Sequence, residues 1–248
     1  MVMKTGPVRN YLWLFWTLAI VGIVADQASK YGIFAWLYTD GTPQADELVL
    51  GTFTLTTSAC RHDARPHEPY ASRELKLVPG TFDIVASYTR ERELNDTFSA
   101  WLRTISGERL PYVNRGALFG WGNASVGGDD YNTMFAVVSF LAAVGITYWS
   151  TRPAARSDRL LCAALGLILA GTLGNFYDRV IFSGVRDFLH WYRFYNWPVF
   201  NLADSCLVVG AGLLLVHAYF HADKETAEDH RAAEAEATTP EPSAPANR

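Results

Sequence analysis

Cysteine is scarce in this chain. Only Cys60, Cys162 and Cys206 are present, and the last two lie inside apolar runs. A disulfide framework needs paired thiols outside such runs, and only Cys60 qualifies. All three read as small buried apolar residues. No Cys-x-x-Cys pair and no His-rich spacing occurs, so no metal or other cofactor is expected. Charge is scarce too: 19% of residues are charged, and the net charge of −4 comes partly from an acidic tail. That balance gives no footprint for binding nucleic acid.

What the chain has is apolar bulk, half of its 248 residues, gathered into four long runs. These cover about 11–38, 131–149, 160–178 and 199–220. A helix rises about 1.5 Å per residue, so each run reaches across a bilayer core or close to it. The first run competes with a cleaved signal peptide, having Lys4 and Arg9 before it and small residues near Ala25 and Ala28. It resumes, however, from Tyr31 to Tyr38, beyond Asp26-Gln27-Ala28-Ser29-Lys30. Trp13, Trp16, Trp36, Trp149, Trp191 and Trp197 sit near run ends, as in interfacial belts. An even number of crossings puts both termini on one side. Lys4, Arg9, Arg152, Arg156, Arg159, Lys224 and Arg231 outnumber Arg179, Arg186 and Arg193 on the opposite short loop, which predicts cytoplasmic termini. The connections are then a cytoplasmic loop at 150–159 and an extracytoplasmic loop at 179–198, carrying Asp187 and flanked by Asp178 and Asp204.

Residues 39–130 are too many for a turn and predict a small extracytoplasmic β-rich domain. Val49 to Thr56 and Lys76 to Ala86 alternate in places like strands, and both contain Gly-Thr-Phe, at 51–53 and 80–82. From Arg90 to Ser106, Leu94, Phe98, Trp101, Leu102 and Ile105 share one helical face. That face suits either packing on the strands or lying in the membrane interface. The tail at 221–248 has almost no apolar bulk and is expected to be disordered and cytoplasmic.

Polar residues recur at helical spacing within the runs. Asp26 and Lys30 are four apart and suit an intrahelical pair; helix glue is the favoured reading there. Asn175 precedes Asp178 by three and Arg179 by four, and Asn201 precedes Asp204 by three. Carboxylates at membrane depth are expensive and rarely kept without a job. Two brought together share a proton and can activate water. The residues alone leave open whether Asp178 or Asp187 partners Asp204. Asp178, beside Arg179, is the better candidate for a fixed ion pair.

The ordered blocks Asp26…Lys30, Val113-Asn114-Arg115-Gly116-Ala117-Leu118-Phe119-Gly120, Gly174-Asn175-x-x-Asp178-Arg179, Val185-x-Asp187-Phe188 and Phe200-Asn201-x-Ala203-Asp204-Ser205 carry a resemblance. The chain resembles the lipoprotein signal peptidases, the type II signal peptidases of bacteria, over about 11–38 and 110–220. The resemblance implies an α-helical integral membrane protein: four transmembrane helices with an extracytoplasmic β-rich cradle, in the bacterial cytoplasmic (inner) membrane. It implies an aspartic endopeptidase that cleaves diacylglyceryl-modified prolipoproteins before the lipid-bearing cysteine. Asp187 and Asp204 then fall at the catalytic dyad. Asn114, Asn175, Arg179 and Asn201 fall at positions that orient the dyad or hold substrate, and Asp26, Lys30 and Asp178 at structural polar positions. The expected partners are diacylated prolipoproteins and membrane lipids, and the expected state is a monomer. Two departures stand out: an insertion within about 61–110, expected to be an accessory to the cradle, and Leu118 where the family usually has Ala. A non-catalytic binder of lipidated peptides would keep the groove but lose an acid, and both acids are present. A proton-relay transporter would show an internal repeat. A presenilin-type protease would need Gly-x-Gly-Asp, which is absent.

Overall fold

A helix that is apolar on every side buries one stripe against neighbours and leaves the rest to lipid. The computed structural model, which describes residues 10–38, 47–50, 53–57, 70–92, 97–116 and 128–237, follows that rule. In chain order its elements are α1 (Leu12–Trp36), β1 (Glu47–Leu50), β2 (Phe53–Thr57), β3 (Ala71–Val78), β4 (Phe82–Arg92), α2 (Phe98–Thr104) and β5 (Arg109–Pro111). Then come α3 (Gly128–Ser150), α4 (Pro153–Ser157), α5 (Arg159–Phe182), β6 (Leu189–Trp191) and α6 (Leu202–Ala237). Among the described residues, α1, α3, α5 and the part of α6 up to Phe220 are long and apolar enough to cross a membrane.

Helix α5 is the axis of the bundle. Over half of its spanning window is buried, against a sixth or less for each of the other three, because α1, α3 and α6 all pack on it. Small residues permit that approach. A Cβ placed on Gly171 would lie 2.3 Å from the Ala203 carbonyl of α6, and one on Gly166 would lie 2.6 Å from the Phe15 carbonyl of α1. The outer faces of α1, α3 and α6 remain apolar and uncovered at Val21, Leu141 and Leu215. At the far end from the sheet, the Asp158 side chain accepts the Leu161 N–H and so caps α5. His217 of α6 contacts the same carboxylate at 3.1 Å.

The sheet is antiparallel in the order β1-β2-β3-β4-β5, and β6 pairs with β4. The two stretches that alternate like single strands are each a hairpin: β1 with β2, Leu50 opposite Phe53, and β3 with β4, where Gly80 turns with φ +72°. Phe53 and Phe82 of the repeated Gly-Thr-Phe both open a second strand. A hydrophobic cluster of Phe34, Leu37, Ala86, Tyr88 and Phe188 fastens the sheet to the end of α1, and the Tyr88 hydroxyl donates to the Phe34 carbonyl.

Residues 61–110, expected as an accessory to the cradle, supply β3, β4, α2 and most of β5, and β4 is the strand that pairs with β6. Three boundaries differ from the sequence reading. The helix expected from Arg90 starts only at Thr97, whose side chain accepts the Ala100 N–H; before it, β4 runs to Arg92 because pairing with β5 holds it extended. Leu94 lies outside the described residues, and Phe98, Trp101 and Ile105 are exposed rather than packed on the strands. Helix α5 continues to Phe182, which puts Arg179 within the helix. The tail expected to be disordered from 221 continues α6 to Ala237. It is rich in Ala and Glu, strong helix formers that extend a helix already nucleated at lower cost than they would start one.

The close approach of α5 and α6 gives a first test. Gly171→Val lowers the melting temperature of the detergent-solubilised protein by several degrees. Gly212→Val, where a Cβ meets nothing within 4 Å, leaves it near wild type. Equal melting temperatures for the two variants contradict this packing.

Candidate active site

The polar residues of the four sequence blocks converge where the helices meet the sheet. Asn201 is the N-cap of α6, and its pairing with Asp204 is reciprocal. Asn201 Oδ1 accepts the Asp204 backbone N–H at 3.0 Å, while Asp204 Oδ2 accepts the Asn201 backbone N–H at 3.2 Å. This is the capping-box arrangement with Asp in place of Glu. With its oxygen so used, the Asn201 amide nitrogen faces the other way, donating to Asp187 Oδ1 at 2.7 Å and to Asn175 Oδ1 at 3.2 Å. One side chain thus touches both halves of the proposed pair, Asp187 by its amide and Asp204 by its carbonyl.

Asp187 is held from three directions. Asn114 and Val185 exchange two backbone hydrogen bonds of 2.8 Å, which brings the Asn114 amide to Asp187 Oδ2 at 3.2 Å. The Val85 N–H of β4 donates to the Phe188 carbonyl at 2.9 Å. Phe188 and Leu189 both donate to the Phe200 carbonyl, next to Asn201. Burial and then the nearby Asp204 carboxylate push the Asp187 carboxyl up to about 7, against the smaller opposing effect of the two amide donors.

Below this pair lies a buried ionic cluster. The Lys30 ammonium contacts Asp26 Oδ2 at 2.9 Å, Asn175 Oδ1 at 3.2 Å and Asp178 Oδ2 at 3.5 Å. An ammonium only donates, so it fixes the Asn175 carbonyl toward itself and turns the Asn175 amide nitrogen to Asp204 Oδ1, at 2.7 Å. Asp26 Oδ1 accepts the Ala203 N–H of α6 at 2.9 Å. A Cβ on Gly174 would stand 2.6 Å from Asp26 Oδ2, so glycine is needed for that contact.

The sequence pairing of Asp178 with Arg179 is not found. Asp178 binds Arg186, through the backbone N–H at 2.9 Å, Nε at 3.2 Å and Nη2 at 2.8 Å. Residues adjacent in a helix diverge by about 100°, so Arg179 points away from Asp178. Its guanidinium lies over the Phe135 ring of α3, within electrostatic reach of Asp204, Asp187 and, more weakly, Asp178, and donates to the Asn175 carbonyl at 3.4 Å. Sequence reasoning also missed Gln27, which donates to Asp26 and accepts from Arg186. The available signal was a polar amide next to Asp26 inside the first apolar run.

Residues 97–220, half of this chain and carrying all the motif blocks except Asp26…Lys30, match a family described as signal peptidase (SPase) II. The chain belongs to the signal peptidase II family. It is 39% identical over 137 residues to a lipoprotein signal peptidase of Halalkalibacterium halodurans, covering 50% of this chain and 83% of that relative. It is 35% identical over 138 residues to one from Alteromonas mediterranea, covering 54% and 74%. A solved bacterial membrane enzyme shares the fold with a TM-score of 0.55 at 20% identity, over 88% of this chain and 96% of that one. Together with the four apolar helices, this makes the chain a multi-pass bacterial membrane protease. Leu118 of the signal peptidase II block lies outside the described residues, as do Ala117, Phe119 and Gly120.

The raised Asp187 carboxyl predicts a pH-dependent stability. Its ordinary value is 3.8, and folding lifts it to about 7. Stability from this group is therefore complete below the unfolded value and is lost as the pH rises through 7. Asp187→Asn removes the titration: its melting temperature in detergent exceeds wild type by several degrees at pH 8, and the gap closes toward pH 4. A gap that is constant across this range contradicts the assignment.

Proposed function

We propose that this protein is an aspartic endopeptidase that removes signal peptides from diacylglyceryl-modified prolipoproteins, with Asp187 and Asp204 as its dyad. The observation that carries this reading is that Asn201 joins both carboxylates and that one of them, Asp204, lines an apolar pocket. The pocket, about 360 Å³, is lined by Trp191, Trp197, Phe200, Val208 and Asp204, and continues onto the exposed Val208–Val209 face of α6. An occupant arriving through lipid, with an apolar stretch beside its scissile bond, suits such a shape.

In this reading Asp187 holds the shared proton at rest, as its raised carboxyl favours, and Asp204 is the base. Asp204 takes a proton from a water molecule, whose oxygen bonds to the scissile carbonyl carbon. Asp187 gives its proton to the carbonyl oxygen. The tetrahedral diol then loses the amine: a proton passes from Asp204 to the leaving nitrogen, the C–N bond breaks, and a diol proton returns to Asp187 as the carboxylic acid forms. Asn114, Asn175 and Asn201 hold the carboxylates at fixed angles. Arg179, whose Nη1 reaches the Asn175 carbonyl at 3.4 Å, has further N–H groups to offer a substrate carbonyl. No metal is assigned a part in these steps.

The positive-charge bias of the loops supports placing this site on the extracytoplasmic side of the cytoplasmic membrane. At the same end, α2 is anchored by an Arg103 contact to the Ile181 carbonyl, and its bare Phe98, Trp101 and Ile105 support a place in the membrane interface.

Asp187→Asn and Asp204→Asn each reduce cleavage of a diacylated prolipoprotein by at least ~100-fold while the protein still inserts and purifies as wild type does. Near-wild-type turnover in either removes the dyad. Asp178→Asn acts mainly through yield and thermal stability; a well-folded Asp178→Asn that loses as much turnover as Asp187→Asn moves the dyad to a different pair. Activity is unchanged by EDTA, and a loss reversed by one divalent ion overturns the metal-free chemistry.

A further inference from the structure

Arg186 is the largest fully buried side chain in the described structure, and nothing in the proposed chemistry uses it. Burying a guanidinium is costly unless its charge and donors are matched. Here the match is close to complete. The fork of Nε and Nη2 grips both oxygens of Asp178, Nη2 also donates to Gln27 Oε1 at 2.9 Å, and the guanidinium carbon sits 4.2 Å from the Tyr31 ring centroid and 3.9 Å from that of Phe182. Nη1, without a hydrogen-bond acceptor, is left against those aromatic faces.

The charge count gives this residue a task. Asp26 and Asp178 are two buried anions, and Lys30 is one cation placed between them. Without Arg186 both carboxylates compete for the ammonium, and the weakest of its three contacts to yield is the neutral one, with Asn175 Oδ1. Asn175 then loses the anchor that aims its amide at Asp204. Arg186 closes the count at two against two. It is also the residue before Asp187, and its own N–H is tied to Asp178, so the same contacts fix the backbone from which Asp187 projects.

We propose that Arg186 is a positioning residue for the dyad, holding Asp187 through the backbone and Asp204 through the relay Asp178, Lys30, Asn175. This rests on the dyad reading above. The charged groups facing the pair are Lys30 and Asp26 on α1, Asp178 and Arg179 on α5, and Arg186 in the loop before β6. Removing only Arg186 leaves one unbalanced negative charge among them, which makes the shared proton harder to lose. The alkaline limb of the pH–rate profile therefore moves up.

The test is steady-state cleavage of a diacylated prolipoprotein in detergent by Arg186→Met, Arg186→Lys and the double variant Asp178→Asn/Arg186→Met, with Asp187→Asn alongside. Arg186→Met lowers kcat by at least ~10-fold with KM within about twofold, and raises the alkaline limb by about half a pH unit or more. The double variant restores charge balance, returns the limb to the wild-type pH and recovers at least ~threefold in kcat. Arg186→Lys keeps the charge but not the fork, so its limb stays and its kcat falls; if Arg186→Met does not fold, this variant and the double variant carry the test. A wild-type kcat in Arg186→Lys or Arg186→Met, or a fall that only tracks the folded fraction with the limb unmoved, overturns the role of Arg186. If Asp187→Asn is active, the dyad reading itself has failed. If Asp187→Asn is dead while the Arg186 variants match wild type, only this inference has failed.

Discussion

The Lys30 ammonium is the contact on which the rest of the site depends. It is buried to 0% exposure and meets two carboxylates and one amide carbonyl, from two different helices. Its value lies in chemical asymmetry. An amide reads equally well in either rotation until something that can only donate, or only accept, touches one end. Lys30 supplies that direction for Asn175, and the Asp204 N–H supplies it for Asn201. From these two choices the remaining hydrogen bonds follow, and both proposed catalytic carboxylates receive amide N–H groups rather than facing lone pairs.

Such a cluster is expensive within a bilayer, and the fold limits the expense by geometry. The ionic groups sit at the end of the bundle that meets the sheet, and their charges cancel within a few ångströms. Helix α5 supplies both Asn175 and Asp178, which is why it must be central, and centrality requires backbone close to backbone. Gly171 and Gly174 meet that requirement where α6 and Asp26 come nearest. Packing and chemistry therefore constrain the same two turns of one helix.

Much of this was legible in the residues. Four spans were visible because lipid demands about 20 apolar residues in a row and the chain supplies them. The motif blocks named Asn114, Asn175, Asp187, Asn201 and Asp204, and the structure brings them together through the hydrogen bonds described. What was hidden has physical reasons. Asp178 seemed paired with its sequence neighbour Arg179, but helical rotation separates adjacent side chains, and the partner arrived from Arg186 across the αL turn at Ser183. The β3–β4 hairpin was signalled by Pro79-Gly80, at the centre of the turn closed by the Thr81 N–H on the Val78 carbonyl, but the alternation was read straight through it. The place of β3 and β4 in the sheet was not legible, because strand pairing between β4 and β6, over a hundred residues apart, leaves no periodic mark in either. The tail lacked apolar bulk, which predicts no tertiary packing but does not prevent a nucleated helix from continuing.

The pairing of Ala203 with Asp26 has a consequence for biosynthesis. The first membrane helix carries an acceptor whose donor lies 177 residues later, at the start of the last helix. A ribosome delivers these in order, so the early acid waits in the translocation channel or the bilayer with only Lys30 to neutralise it. Asn201, the joint between the two carboxylates, emerges in the final spanning segment. The nascent chain therefore lacks both the Ala203–Asp26 contact and the Asn201 joint of the proposed pair until its last spanning segment has emerged.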